Sequence, residues 1–260
     1  MEKKYKLTEE TVIVDGRTLY RIEALKDFAN IKKGDKGGFI EDEKNLSQSG
    51  DCWVCDNARV YGNARIFGDV FVLNNAQVYG NAEVSDNARI YGYATVFEDA
   101  MVYGNARVDD YAIVRNNAQV YGKARICGNA EVCDYVQIYD NAKIFDCAQL
   151  YGTASVSDNA EVCDNAKVYG NAEVCDKARI YGNAVIYEDA MVYGNAEVYN
   201  DAEVYGKARV YGDADIYDNA RVYGNAKICD NAYIYGNAKI CGNAKVYGNM
   251  DVYGNTKFCD

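Results

Sequence analysis

The 260-residue chain contains no histidine and no proline. Without histidine it lacks the side chain that most often serves as general base or zinc ligand. Without proline every position keeps its backbone N–H, which suits uninterrupted β-ladders. No apolar run is long enough to span a bilayer, and Met1-Glu2-Lys3-Lys4 leads into no apolar export segment. Positive charge is scarce: 28 Lys and Arg face 39 Asp and Glu, for a net charge of −11. The first 51 residues carry 10 and 11 of these, which leaves 18 against 28 for the rest. That balance argues against a nucleic-acid-binding surface, which concentrates positive charge. The expectation is a soluble cytoplasmic protein with no nucleic-acid or membrane partner.

What the chain has is repetition. From residue 52 to 255 it runs through 34 hexads of consensus Ala-x-(Val/Ile)-Tyr-Gly-Asn, with no residue gained or lost. A repeat this strict points to a solenoid, in which each unit buries its apolar side only by stacking on its neighbours. Alternation along a strand turns the first position (Ala) and the third (Val or Ile) inward, and turns the second (often charged) and the fourth (often Tyr) outward. The fifth and sixth, Gly or Asp then Asn, tolerate positive φ and mark a corner. Each hexad therefore reads as a short strand and a bend. The segment Glu98-Asp99-Ala100-Met101-Val102-Tyr103-Gly104-Asn105-Ala106 recurs from Glu188 to Ala196, an offset of fifteen hexads. This fits three hexads per coil, although five per coil also divide it. The fold class is all-β: a single-stranded parallel β-helix of about 11 coils over residues 52–260. Eight of the ten cysteines occupy the slot otherwise taken by Tyr and read as small apolar fillers. Cys241 and Cys259 lie three hexads apart and are placed to pair on neighbouring coils under oxidation.

Residues 1–51 do not follow the hexad. Thr11-Val12-Ile13-Val14, Asp15-Gly16 and Thr18-Leu19-Tyr20-Arg21-Ile22 read as a β-hairpin with a tight turn. Ala24 to Phe28 reads as a helical turn, and Gly34, Gly37 and Gly38 read as loop markers. The segment is expected to cap the first coil, whose strand edges need partners. Trp53 and Phe71 hold the outward second position, three hexads apart, with Cys55 and Leu73 beside them in the fourth. We assign Trp53, Phe71 and Leu73 to docking of the cap, with a partner or ligand site as the alternative. The chain stops part way through a hexad, which makes end-to-end association a hypothesis.

The hexads resemble the hexapeptide-repeat (LpxA-like) superfamily, whose members fold as left-handed parallel β-helices and often trimerise. The run Thr18 to Phe28, then Lys36-Gly37-Gly38-Phe39-Ile40-Glu41 and Asn45-Leu46-Ser47-Gln48-Ser49-Gly50, is similar to the YdcK-like branch of bacteria and their phages. The left hand of the coil is implied by this resemblance alone. The superfamily's best-known activities are acyl transfer and zinc-dependent carbonic anhydrase chemistry, and both centre on histidine. This chain lacks that residue, and no insertion interrupts its hexads to shape a cleft. Tyr also dominates where the enzymes usually carry a small residue. Cys147 sits alone at a corner beside the acidic Asp146, a poor setting for a nucleophile. The expectation is therefore no catalytic residue, no metal and no cofactor.

The remaining signal is tyrosine. Tyr181, Tyr199, Tyr217, Tyr235 and Tyr253 recur every third hexad, as do Tyr151, Tyr169, Tyr187, Tyr205 and Tyr223. These sets read as columns of rings at the coil spacing. They stabilise the coil by cross-strand contact, or they form an interface, for which Tyr is well suited. Met101 and Met191, at outward second positions, add apolar contact points. The reading is a non-catalytic scaffold or protein-binding module that self-associates, as a trimer or an end-to-end dimer. The runner-up is a degenerate acyltransferase. An acidic DNA mimic or phage-type inhibitor ranks lower, because Arg59, Arg65, Arg89, Arg107, Arg125, Lys239 and Lys245 give a mixed surface.

Overall fold

The computed structural model describes residues 2–260 and forms two compact units that divide between Gly128 and Asn129. Both are built from parallel two- or three-residue strands spaced by six. Among the described residues 35 such strands, three to a turn, make about 12 turns. This is slightly more than the 34 hexads of residues 52–255, because Lys257–Cys259 adds a strand.

The first unit opens with β1 (Tyr5–Val14) and β2 (Arg17–Ala24), an antiparallel pair. Their turn, Asp15-Gly16, has φ of 50° and 76°, the two positive values that a two-residue hairpin needs. Next comes β3 (Lys36–Ile40), antiparallel to β2 on one side and parallel to Arg59–Val60 on the other. It is thus the strand that converts a hairpin into a coil. Gly37 and Gly38, read above as loop residues, lie inside β3. A Cβ on Gly37 would stand 2.5 Å from the Val54 carbonyl, and one on Gly38 would stand 2.5 Å from that of Ala58. The close approach of backbone, not a bend, explains them. Residues 24–28 form no helical turn. Phe28 and Ile31 instead exchange backbone hydrogen bonds, and the Asp27 carboxylate accepts the Lys33 N–H at 2.9 Å.

Three ladders follow in this unit. One runs Arg59–Val60, Gln77–Val78, Thr95–Val96, Ile113–Val114. A second runs Trp53–Val54, Phe71–Val72, Arg89–Ile90, Arg107–Val108, Arg125–Ile126. The third holds Arg65–Ile66, Glu83–Val84, Met101–Val102 and Gln119–Val120. The second unit repeats the plan, with the same three-hexad register in every pairing, from Glu131↔Gln149 to Lys239↔Lys257.

The pattern has a single physical basis. The second- and fourth-position N–H groups donate to carbonyls of the following turn, as in Arg89 to Ala106 (3.0 Å) and Tyr181 to Val198 (3.1 Å). The Ala and Val or Ile of nearly every hexad are fully buried. Each buried Val or Ile contributes about 1.5–3 kcal/mol before chain entropy is counted. Corners are bonded as well. Asp164 at φ 56° accepts the Gly182 N–H at 2.9 Å, and Asp176 accepts that of Gly194 at 2.9 Å. The Asn183 amide donates to Asp201 at 3.0 Å, so the corner ladders mix amides with carboxylates.

Candidate interaction surface

Carbonyls of the first turn have no earlier turn to accept from, and the N-terminal segment supplies the donors. The N–H groups of Phe39, Glu41 and Ser47 reach Ala58, Val60 and Ile66. The Asn45 amide bonds the Gly62 and Ala64 carbonyls, and Arg21 bonds that of Asp56. Lys4 is the most unusual donor. It is 1% exposed, and its Nζ lies 2.9 Å from the Cys52 carbonyl and 3.1 Å from that of Gly50. Burial pulls its pKa down against the Cys52 thiol, which draws it up. In the sequence nothing separates Lys4 from Lys3 and Lys6, so its role was not readable there.

Of the apolar residues assigned to docking, Trp53 is 1% exposed and lies edge-on to Tyr5 and Phe28, at 6.2 and 5.4 Å. Phe71 is its rung neighbour and is half-buried. Leu73 lines a recess with Asn74, Arg89, Tyr91 and Arg107. The apolar side of the hairpin meets different residues: Leu19 and Phe39 pack with Tyr61, joined by Val12, Val14 and Tyr79.

The tyrosine columns lie in the second unit. Tyr181, Tyr199, Tyr217, Tyr235 and Tyr253 stack face to face, with centroids 4.8–5.4 Å apart. Tyr151, Tyr169, Tyr187, Tyr205 and Tyr223 do the same at 4.6–5.1 Å. The strand spacing imposes this, because outward residues one turn apart stand about 4.8 Å from each other. Most of these rings are half-buried, whereas Tyr253 is exposed. Each column therefore presents ring edges and hydroxyls. The Tyr181 hydroxyl donates to Glu197 at 2.8 Å. Burial first, then neighbouring carboxylates, push the phenols up: Tyr199, beside Asp215, to about 12, and Tyr187, beside Glu203, upward as well. At neutral pH these are uncharged donors. Met101 stands between Glu83 and Gln119 on its ladder, and Met191 between Glu173 and Arg209; both are half-buried.

One cluster has metal-ligand character: Asp146, Cys163 and Asp164 bring their donor atoms within 4.8 Å of one another. Burial, then Asp164 and Asp146, push the Cys163 thiol up to about 11, so it holds its proton at neutral pH and is a poor ligand or nucleophile. Cys241 and Cys259 are joined as a disulfide between adjacent turns, with Cα atoms 4.5 Å apart.

Residues 58–74, 178–194 and 216–228 match the family model described as the YdcK β-solenoid repeat. Over these segments the chain is similar to the YdcK β-solenoid repeat. A stretch of 76 residues, 26% of this chain, is 38% identical to a protein of Escherichia coli (strain K12) named "Uncharacterized acetyltransferase YdcK". That match spans 23% of the relative's length. No helix among the described residues is long and apolar enough to cross a membrane.

Proposed function

We propose that this chain is a non-catalytic scaffold that binds protein, another copy of itself included, along its stacked tyrosine columns. The observation that carries this reading is the pair of five-ring ladders whose edges face outward as neutral hydroxyl donors. Such a strip offers large contact area from side chains already ordered by stacking, so little further entropy is lost on docking. The test is Tyr199→Ser, Tyr217→Ser and Tyr235→Ser together, with assembly mass read by analytical ultracentrifugation. Loss of assembly supports the column as the interface; an unchanged mass removes it.

The second reading is acyl transfer, and what favours it is the printed name of the Escherichia coli relative. Against it stands the absence of histidine, since activation of an acyl acceptor needs a base of suitable pKa. A thiol-release assay with acetyl-coenzyme A and a panel of amine and hydroxyl acceptors separates the two. Acceptor-dependent release revives the enzyme, and none leaves the scaffold.

A further inference from the structure

Some outward cations on this solenoid meet a carboxylate one turn away. Arg65 pairs with Glu83 at 3.0 Å, Lys143 with Glu161 at 2.7 Å, Arg179 with Glu197 at 3.1 Å and Arg221 with Glu203 at 3.0 Å. One ladder of the first unit sets three guanidiniums in a row. Arg89, Arg107 and Arg125 are consecutive rungs in register, all exposed, and none is in an ion pair among the described residues. The rung before them is Phe71. Like charges one turn apart repel, so the chain keeps three stacked guanidiniums at a cost, although its overall charge is −11.

Beside this ladder lies a recess of about 300 Å³ lined by Leu73, Asn74, Arg89, Tyr91 and Arg107. Its wall is partly apolar. Burial first, then Asp109, push the Tyr91 phenol up, while Arg125 and Arg107 draw it down. Asp109 is the acid of the site. Its carboxylate accepts the Asp110 N–H at 2.6 Å, and no ion pair joins it to the arginines among the described residues. The second unit has cation ladders too, Arg209-Lys227-Lys245 and Arg221-Lys239-Lys257. These are mainly ammonium groups, which act as point charges and lack the planar fork.

We propose that this face of the first unit binds a small polyphosphorylated organic ligand. The arginine ladder takes the condensed phosphate chain, and Leu73 and Tyr91 take the flat organic group. Guanidinium forks bond phosphate oxygens bidentately. A condensed chain sets charge opposite successive rungs, whereas a lone phosphate meets fewer of them. A long nucleic acid fits less well, since a strand extending past three rungs meets an acidic surface. The site shares no residue with the tyrosine columns, and its test is independent of theirs.

The test is calorimetric titration of the full chain at about 0.15 M ionic strength, where weak surface attraction is screened. The probes are inorganic phosphate, tripolyphosphate, ATP without magnesium, and a single-stranded oligonucleotide. Tripolyphosphate is expected to bind at least about tenfold more tightly than phosphate. ATP is expected to bind more tightly than tripolyphosphate, and Tyr91→Ser to remove that difference. Arg107→Gln, at an exposed position, should weaken ATP about tenfold, the loss of one charged bidentate contact. Circular dichroism checks that this variant keeps its fold. Lys227→Gln in the second unit should change nothing. Equal affinity for phosphate and ATP overturns the proposal, as does an Arg107→Gln variant that binds normally. Equal losses in Arg107→Gln and Lys227→Gln would mark diffuse charge attraction, and tighter binding of the oligonucleotide than of ATP would mark a nucleic-acid surface; either result also overturns it.

Discussion

The fifth position of the hexad shows how one backbone requirement admits several residues. Gly182 has φ of 69°, and a Cβ there would stand 2.7 Å from the Asn200 nitrogen. Asp164 and Asp176 hold the same conformation, at φ 56° and 59°, and offset its cost by accepting an N–H one turn away. Gly182→Ala should therefore destabilise by about 1–3 kcal/mol in urea unfolding, and Gly182→Asp by less. Equal losses would remove the carboxylate bond from this account. The phenols give a pH prediction. Tyr199 holds its proton to about 12, above the ordinary value near 10. A raised folded-state pKa means that its contribution to stability is complete below about pH 10 and is lost as pH climbs toward 12. Alkaline unfolding followed by phenolate absorbance should shift to higher pH in Tyr199→Phe. Asp215 follows the same sign in a lower pH range: burial, then Glu197 and Asp213, raise its pKa, so its ionised form is disfavoured in the fold. Asp215→Asn should raise the melting temperature at neutral pH, with the gain fading as pH falls into the carboxylate range.

At the level of elements, the two-residue strands have almost no stability of their own, and the buried positions carry them. Ile180 is fully buried. Ile180→Ala should cost about 2–5 kcal/mol and Ile180→Val about 0.5–1.5 kcal/mol by chemical denaturation. The cap can be followed with the chain's sole tryptophan, because Trp53 is buried under Tyr5 and Phe28. Lys4→Met leaves the Cys52 carbonyl without its ammonium donor. It should red-shift Trp53 emission and lower the stability of the first unit by about 1–3 kcal/mol. Unshifted emission would mean that the cap holds without Lys4. The strands were legible because Ala and Val or Ile recur at alternate positions with fixed spacing. The cap was only partly legible. The Asp15-Gly16 turn announces itself, but Gly37 and Gly38 serve a backbone approach between distant segments, which no local pattern encodes. Lys4 acquires its meaning only from carbonyls some 48 residues away.

For the molecule as a whole, the three-hexad register made the side-chain columns readable in advance, the tyrosine ladders among them. The Arg89, Arg107 and Arg125 ladder has the same spacing and is legible by the same count, although singly these residues read only as parts of a mixed surface. What spacing could not show is how Leu73 and Tyr91 close a recess beside that ladder, which depends on side-chain packing. The register has a further consequence. Because each bond joins residues a fixed interval apart, excising one complete revolution, such as residues 185–202, rejoins each column to an equivalent neighbour. Removing a number that is not a multiple of six would turn polar groups into the interior. Near-identical coding stretches recombine unequally, so lineages of such a chain are free to gain or shed whole revolutions, and selection should tolerate differences in length only in those quanta.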